Sequence, residues 1–125
     1  MLEGNALKSL VILMIEAEQP EGLSARKLVV ETAKHNVLTA YSTDSGMDLL
    51  RRFPLVDAVL VHGSCVEGDP CLLSTIREHD PGVPIILATP FGSIRDPLAT
   101  FVIDSHNPHE ILQLLHGEIQ PRFSK

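Results

Sequence analysis

The sequence predicts an open α/β sandwich: one parallel β-sheet with helices on both faces. Three observations carry this. Short apolar runs recur five times, at residues 10–15, 37–41, 56–62, 83–88 and 101–103. Those runs are mostly continuous rather than alternating, the pattern of strands covered on both sides. Segments with helical spacing or helix-start residues lie between most of them, and strands alternating with helices build right-handed βαβ units.

The first strand is Leu10 to Ile15, closed off by Pro20 and Gly22. Ala25, Leu28, Val29, Thr32 and Ala33 then recur at the spacing of an amphipathic helix that ends near His35 and Asn36. Val37 to Tyr41 is a short second strand. Ser45 and Asp48 have the spacing of a capping box, opening a helix that carries Leu49, Leu50 and Phe53 and stops before Pro54. The third strand, from Val56, ends at His62, and a Gly/Ser loop follows. Asp69 and Pro70 read as an N-cap with proline in the first turn, for a helix through Leu72, Leu73 and Ile76. Val83 to Ala88 is the fourth strand.

Between Thr89 and Phe101 the chain carries Pro90, Gly92 and Pro97, which leaves room for one helical turn at most. The fourth helix is expected to be short or absent. Phe101 to Ile103 is the fifth strand. Asn107 and Pro108 start a last helix that buries Ile111, Leu114, Leu115 and Ile119. Five strands so arranged fit the flavodoxin-like order 2-1-3-4-5. One domain over residues 1–125 is expected, with a core at about 8–118 and loose ends at Met1 to Ala6 and Pro121 to Lys125.

Composition narrows the function. The chain has 125 residues, 44% of them hydrophobic, enough for a core without metal or disulfide staples. Net charge is -6, and the basic residues are scattered, with Arg51-Arg52 as one adjacent pair. Phosphate contacts need clustered Lys and Arg, so direct nucleic-acid binding is not expected. No apolar run approaches the roughly 20 residues of a membrane span. Two cysteines are too few for a disulfide framework, so a cytoplasmic setting is expected.

The layout resembles a response-regulator receiver domain, a CheY-like fold, over residues 8–118. Glu16 and Glu18 after the first strand resemble that family's acidic cluster. The run from Asp57 to His62 resembles the strand bearing the phosphoacceptor. Val83 to Thr89 is similar to the fourth strand, which ends in a hydroxyl residue. Asn107-Pro108-His109-Glu110 resembles the start of the final helix.

The resemblance implies a degenerate phosphorylation pocket. Glu16 keeps one Mg²⁺-binding acid, and Ala17 stands where the second belongs. His62 replaces the acceptor aspartate. Thr89 keeps the hydroxyl. Asp104 stands where a lysine is expected, and Ser105 follows where the family has proline. An imidazole cannot form an acyl phosphate. Mg²⁺ wants oxygen ligands, two of which are lost. A phosphoryl group carries about −1.5 to −2 charges, which Asp104 repels. No aspartyl phosphorylation, no tight Mg²⁺ site and no other cofactor are expected. Thr89 and Phe101 match the family's switch pair, although plain core packing is the favoured reading of Phe101.

The function implied is that of a pseudo-receiver, not an enzyme, in a two-component phosphorelay. It would act by binding signalling proteins, a kinase or output domain, or a second copy, through the face around the fifth strand and last helix. A second reading keeps regulation through His62 or a small ligand in the same pocket. A third, a small flavodoxin-like enzyme or nucleotide-binding domain using Glu16, His62 and Thr89, has no phosphate-binding motif behind it. The glycines at 63–68 lack the required lysine, because Asp69 follows. Glu16 and Glu18 read as solvated loop acids. Asp104, His106 and His109 read as a polar helix start rather than a zinc set. Cys65 and Cys71 lie near Glu67 and Asp69, so they read as ordinary thiols.

Overall fold

The computed structural model describes residues 9–16 and 25–123. Its five strands form one parallel sheet in the order β2-β1-β3-β4-β5. They are β1 (Val11–Ile15), β2 (Asn36–Ala40), β3 (Ala58–His62), β4 (Ile85–Thr89) and β5 (Phe101–Asp104). The helices are α1 (Ala25–Thr32), α2 (Thr43–Arg52), α3 (Gly63–Gly68), α4 (Leu72–His79) and α5 (Pro108–Gly117). This is the flavodoxin-like order expected from the sequence.

Alternation along each strand divides the core in two. Leu13, Val59, Val61 and Leu87 face one side, where they meet Leu50 of α2 and Leu72, Leu73 and Ile76 of α4. Ile12, Met14, Leu60 and Ile86 face the other, against Val30 of α1 and Ile111 and Leu115 of α5. All the strand residues named here are fully buried.

Between β4 and β5 there is only a 3-10 turn, Pro90–Gly92, as the prolines require. Arg77 of α4 holds the helix-free segment in place. Its guanidinium donates to the Leu98 carbonyl at 3.1–3.2 Å, to the Thr100 hydroxyl at 2.9 Å and to the Val83 carbonyl.

Several boundaries differ from expectation. The cap of α2 is Ser42, whose hydroxyl accepts from the Ser45 N–H at 3.1 Å, and Asp48 pairs with Arg52 at 3.3 Å instead of reaching back. Four neighbouring residues, Ser42 to Ser45, all have capping chemistry, so spacing alone does not choose among them. Residues 63–68, expected as a loop, form α3. Asp69 does not cap α4; its Oδ1 accepts from Cys71 N at 3.2 Å in an Asx turn. On α1 the buried positions are Arg26 and Val30, four residues apart, whereas Leu28 is 53% exposed. Phe53, expected on α2's apolar face, follows the helix and is 47% exposed.

Pro121 onward is not loose, as far as Phe123. The Arg122 N–H donates to Asp57 Oδ1 at 2.8 Å, and its guanidinium bonds Asp80 and the Val56 carbonyl. Among the described residues, no helix is long and apolar enough to cross a membrane.

Candidate functional site

The parallel sheet brings the carboxyl ends of β1, β3, β4 and β5 to one edge of the molecule, where open α/β sheets place their chemistry. Register aligns His62 with Ala88 and Thr89 with Asp104. Glu16 follows β1 directly, its N–H bonded to the Ala40 carbonyl at 2.9 Å. Ala17 and Glu18 lie outside the described residues.

Glu16 is not a solvated loop acid. It is 1% exposed. Both of its carboxylate oxygens are taken by Arg26 of α1: Nη2 donates to Oε1 at 2.7 Å and Nε to Oε2 at 2.9 Å. The third arm of the guanidinium, Nη1, donates to the Ser105 carbonyl at 3.0 Å. Arg26 thus joins the end of β1 to the turn after β5. A two-pronged guanidinium–carboxylate pair fixes direction as well as distance. Sequence reasoning missed Arg26 altogether.

His62 ends β3 and caps α3. Its Nδ1 accepts the Ser64 N–H at 3.1 Å and lies 2.8 Å from Ser64 Oγ. An accepting Nδ1 leaves the proton of the neutral ring on Nε2. Burial lowers the His62 pKa from its ordinary 6.5, and the Arg26 guanidinium lowers it further, while Glu16 and Glu67 partly offset both. A ring whose Nδ1 accepts a hydrogen bond is the neutral form, and the lowered pKa favours the same form. Gly63 lets α3 start so close to β4: a Cβ there would stand 3.1 Å from Thr89 Cβ and 3.1 Å from Ile94 Cδ1.

The Thr89 hydroxyl is fully buried and engaged in its own loop. It accepts from Ile94 N at 3.1 Å and lies 3.2 Å from Ser93 Oγ. Phe101 lies three residues before Asp104, at the other end of β5, and packs against the core on the α1/α5 face.

Asp104 is organised rather than merely misplaced. Its Oδ1 accepts from Phe91 N and from His106 N, both at 2.9 Å. Those two N–H bonds, that of His106 first, hold its carboxyl below the usual 3.8. One carboxylate thereby pins the 3-10 turn and the β5–α5 turn, with Phe91 in the left-handed region at φ 56°. Glu110 completes the set, its Oε1 accepting from Asp104 N at 3.0 Å.

The Cys65 thiol is pushed up by burial and points to the Ile15 carbonyl at 3.7 Å, an inert setting. Among the described residues, no three His, Cys, Asp or Glu side chains gather closely enough to hold a metal ion.

The sheet order, the helices on both faces and this edge together form a CheY-like receiver fold. No protein-family model matches the sequence, and no curated protein matches it. Solved structures do match in fold. A receiver domain protein of Clostridium thermocellum superposes with a TM-score of 0.64 at 20% identity, over 85% of this chain and 98% of that one. The anti-anti-sigma factor PhyR of Bartonella quintana matches with a TM-score of 0.71 at 18% identity, over 90% of this chain. The response regulator PhyR of Brucella abortus matches with a TM-score of 0.69 at 21% identity, again over 90% of this chain. This chain spans 49% of each PhyR chain.

Proposed function

We propose that this chain is a pseudo-receiver: a receiver-like signalling domain of a two-component phosphorelay that takes no phosphoryl group. It acts in the cytoplasm by binding protein partners. The observation that carries this reading is the Arg26–Glu16–Ser105 clasp. Phosphotransfer to a carboxylate needs a nucleophile, a Mg²⁺ site and a cation for the phosphoryl oxygens. Here the nucleophile's place holds a neutral imidazole whose Nδ1 is already bonded to Ser64. The acid left for Mg²⁺ has both oxygens on Arg26. Asp104, at the lysine's place, is an anion. The site's own guanidinium does the neutralising that metal and lysine do elsewhere, so the domain has one charge state instead of two. With no switching chemistry, a rigid α/β platform is left to act through its surface. The Bartonella PhyR, an anti-anti-sigma factor of which this chain spans 49%, shares this fold.

The test is incubation with a small acyl phosphate and Mg²⁺, followed by intact mass at neutral pH. No adduct is expected. A gain of about 80 Da, one phosphoryl group, overturns the proposal. If His62→Ala abolished that gain, the domain would be a receiver that responds through histidine.

A further inference from the structure

β2 is an outer strand of the sheet, paired with β1 on one side only among the described residues. Proteins usually guard such an edge with charge, proline or a bulge. This edge reads Asn36-Val37-Leu38-Thr39-Ala40, with no charge and no proline. The parity of its hydrogen bonds is fixed at both ends. Asn36 N donates to the Leu10 carbonyl and the Ala40 carbonyl accepts from Glu16 N, both at 2.9 Å. In a parallel ladder, alternate residues face the partner. The backbone groups of Asn36, Leu38 and Ala40 therefore face β1, and those of Val37 and Thr39 face outward.

Two grooves flank this edge. One, of about 340 Å³, is lined by Val11, Leu38, Arg52, Phe53, Pro54 and Leu55. The other includes Thr39, Tyr41, Ser45 and Asp48. Tyr41, Phe53 and Leu55 are 45%, 47% and 59% exposed, half of the large apolar side chains that stand open among the described residues. Asp48 and Arg52 are exposed too, at 51% and 66%.

We propose that two copies of this chain pair antiparallel along β2, about a two-fold axis at Leu38, to make one continuous sheet. The strand is complementary to itself in this register. Val37 of one copy meets Thr39 of the other, the two positions whose N–H and C=O point outward, and Leu38 meets Leu38. The axis also sets the two α2 helices side by side and antiparallel. Asp48, at the groove by the carboxyl end of β2, then lies on the side of Arg52 of the second copy, at the groove by its amino end, so the pair each chain makes within itself exchanges across the axis. Isologous pairing satisfies this charge match twice. A second copy is thus the occupant that edge, parity and charge all select. The inference is independent of the phosphotransfer reading.

Sedimentation of the full chain tests it, and a species of twice the chain mass is expected. Val37→Pro removes an outward N–H and no bond to β1, so it should give a folded monomer. Arg52→Asp should weaken the dimer, and Asp48→Arg with Arg52→Asp should restore it. The Val37 and Thr39 amides should exchange slowly in concentrated solution and rapidly on dilution. A monomer at all concentrations overturns the proposal. So does a dimer that Arg52→Asp leaves unchanged, or protection of those amides that survives dilution to monomer.

Discussion

Arg26 is the residue on which the site turns. Its side chain is 10% exposed and that of Glu16 is 1% exposed, so neither charge is well solvated by water. A buried pair need not add net stability over an apolar pair, because desolvation offsets the attraction. Breaking it from one side is another matter. Arg26→Met leaves the carboxylate buried without its counter-ion and should cost about 3–5 kcal/mol. Adding Glu16→Leu to that variant should recover most of the loss. Urea unfolding of wild type, single and double variants measures both effects. A single variant as stable as wild type would mean that the clasp is not closed in solution. Glu16 is legible in the sequence because it ends an apolar strand. Arg26 is not, because its partner lies ten residues back and the apolar pattern around it favours a face through Leu28. The available signal is its spacing of four from Val30, which puts an arginine on a buried stripe.

At the scale of elements, strands were easier to read than helix starts. A strand buried on both faces declares itself by continuous apolar residues, and each of the five lies within two residues of its expected place. Helix starts depend on one side-chain bond among several similar candidates. α3 was misread because glycine at both ends signals a turn, while its cap is a histidine, a residue outside the usual capping set. Glycine within α2 also misleads. Gly46→Ala should raise intrinsic helix propensity by about 1 kcal/mol. Yet a Cβ at Gly46 would stand 2.7 Å from Ile15 Cδ1 and 2.9 Å from its Cγ1, and Ile15 is fully buried against β1's neighbours. Overpacking of that kind costs about 1–3 kcal/mol, so the variant should be less stable than wild type. Gly68→Ala, with nothing within 4 Å of the added carbon, is the control and should be neutral or better. Thermal midpoints of the two variants decide between packing and propensity.

Across the whole molecule, the two ends of the sheet are tied by different arginines. Arg26 closes the carboxyl end. Arg122 closes the amino end, where Asp57 accepts from both Val11 N and Arg122 N at 2.8 Å. The start of β1, the start of β3, the end of α4 and the segment after α5 meet there. Hydrogen bonds from Arg122 are the main cause of the lowered Asp80 pKa; desolvation opposes them, and the Arg122 charge and the Gly82 N–H assist. A carboxylate depressed in the folded state adds stability at pH values above its unfolded pKa. That stability is lost as pH falls through the lower folded value. Arg122→Met removes the hydrogen bonds to that carboxylate and should cost about 1.5–3 kcal/mol at pH 7, the range for hydrogen bonds to charged groups. The gap from wild type should narrow as pH drops from about 5 toward 2. Urea midpoints across that range give the gap directly. A gap that stays constant would show that the Arg122 side chain acts through the Val56 carbonyl instead of the ion pair, since the backbone N–H to Asp57 survives in the variant. Nothing in the spacing of residues 118–123 reveals this strap, because its partners lie 42 and 65 residues away in sequence. Long-range pairing of that kind becomes visible only once the sheet has fixed where the strands begin.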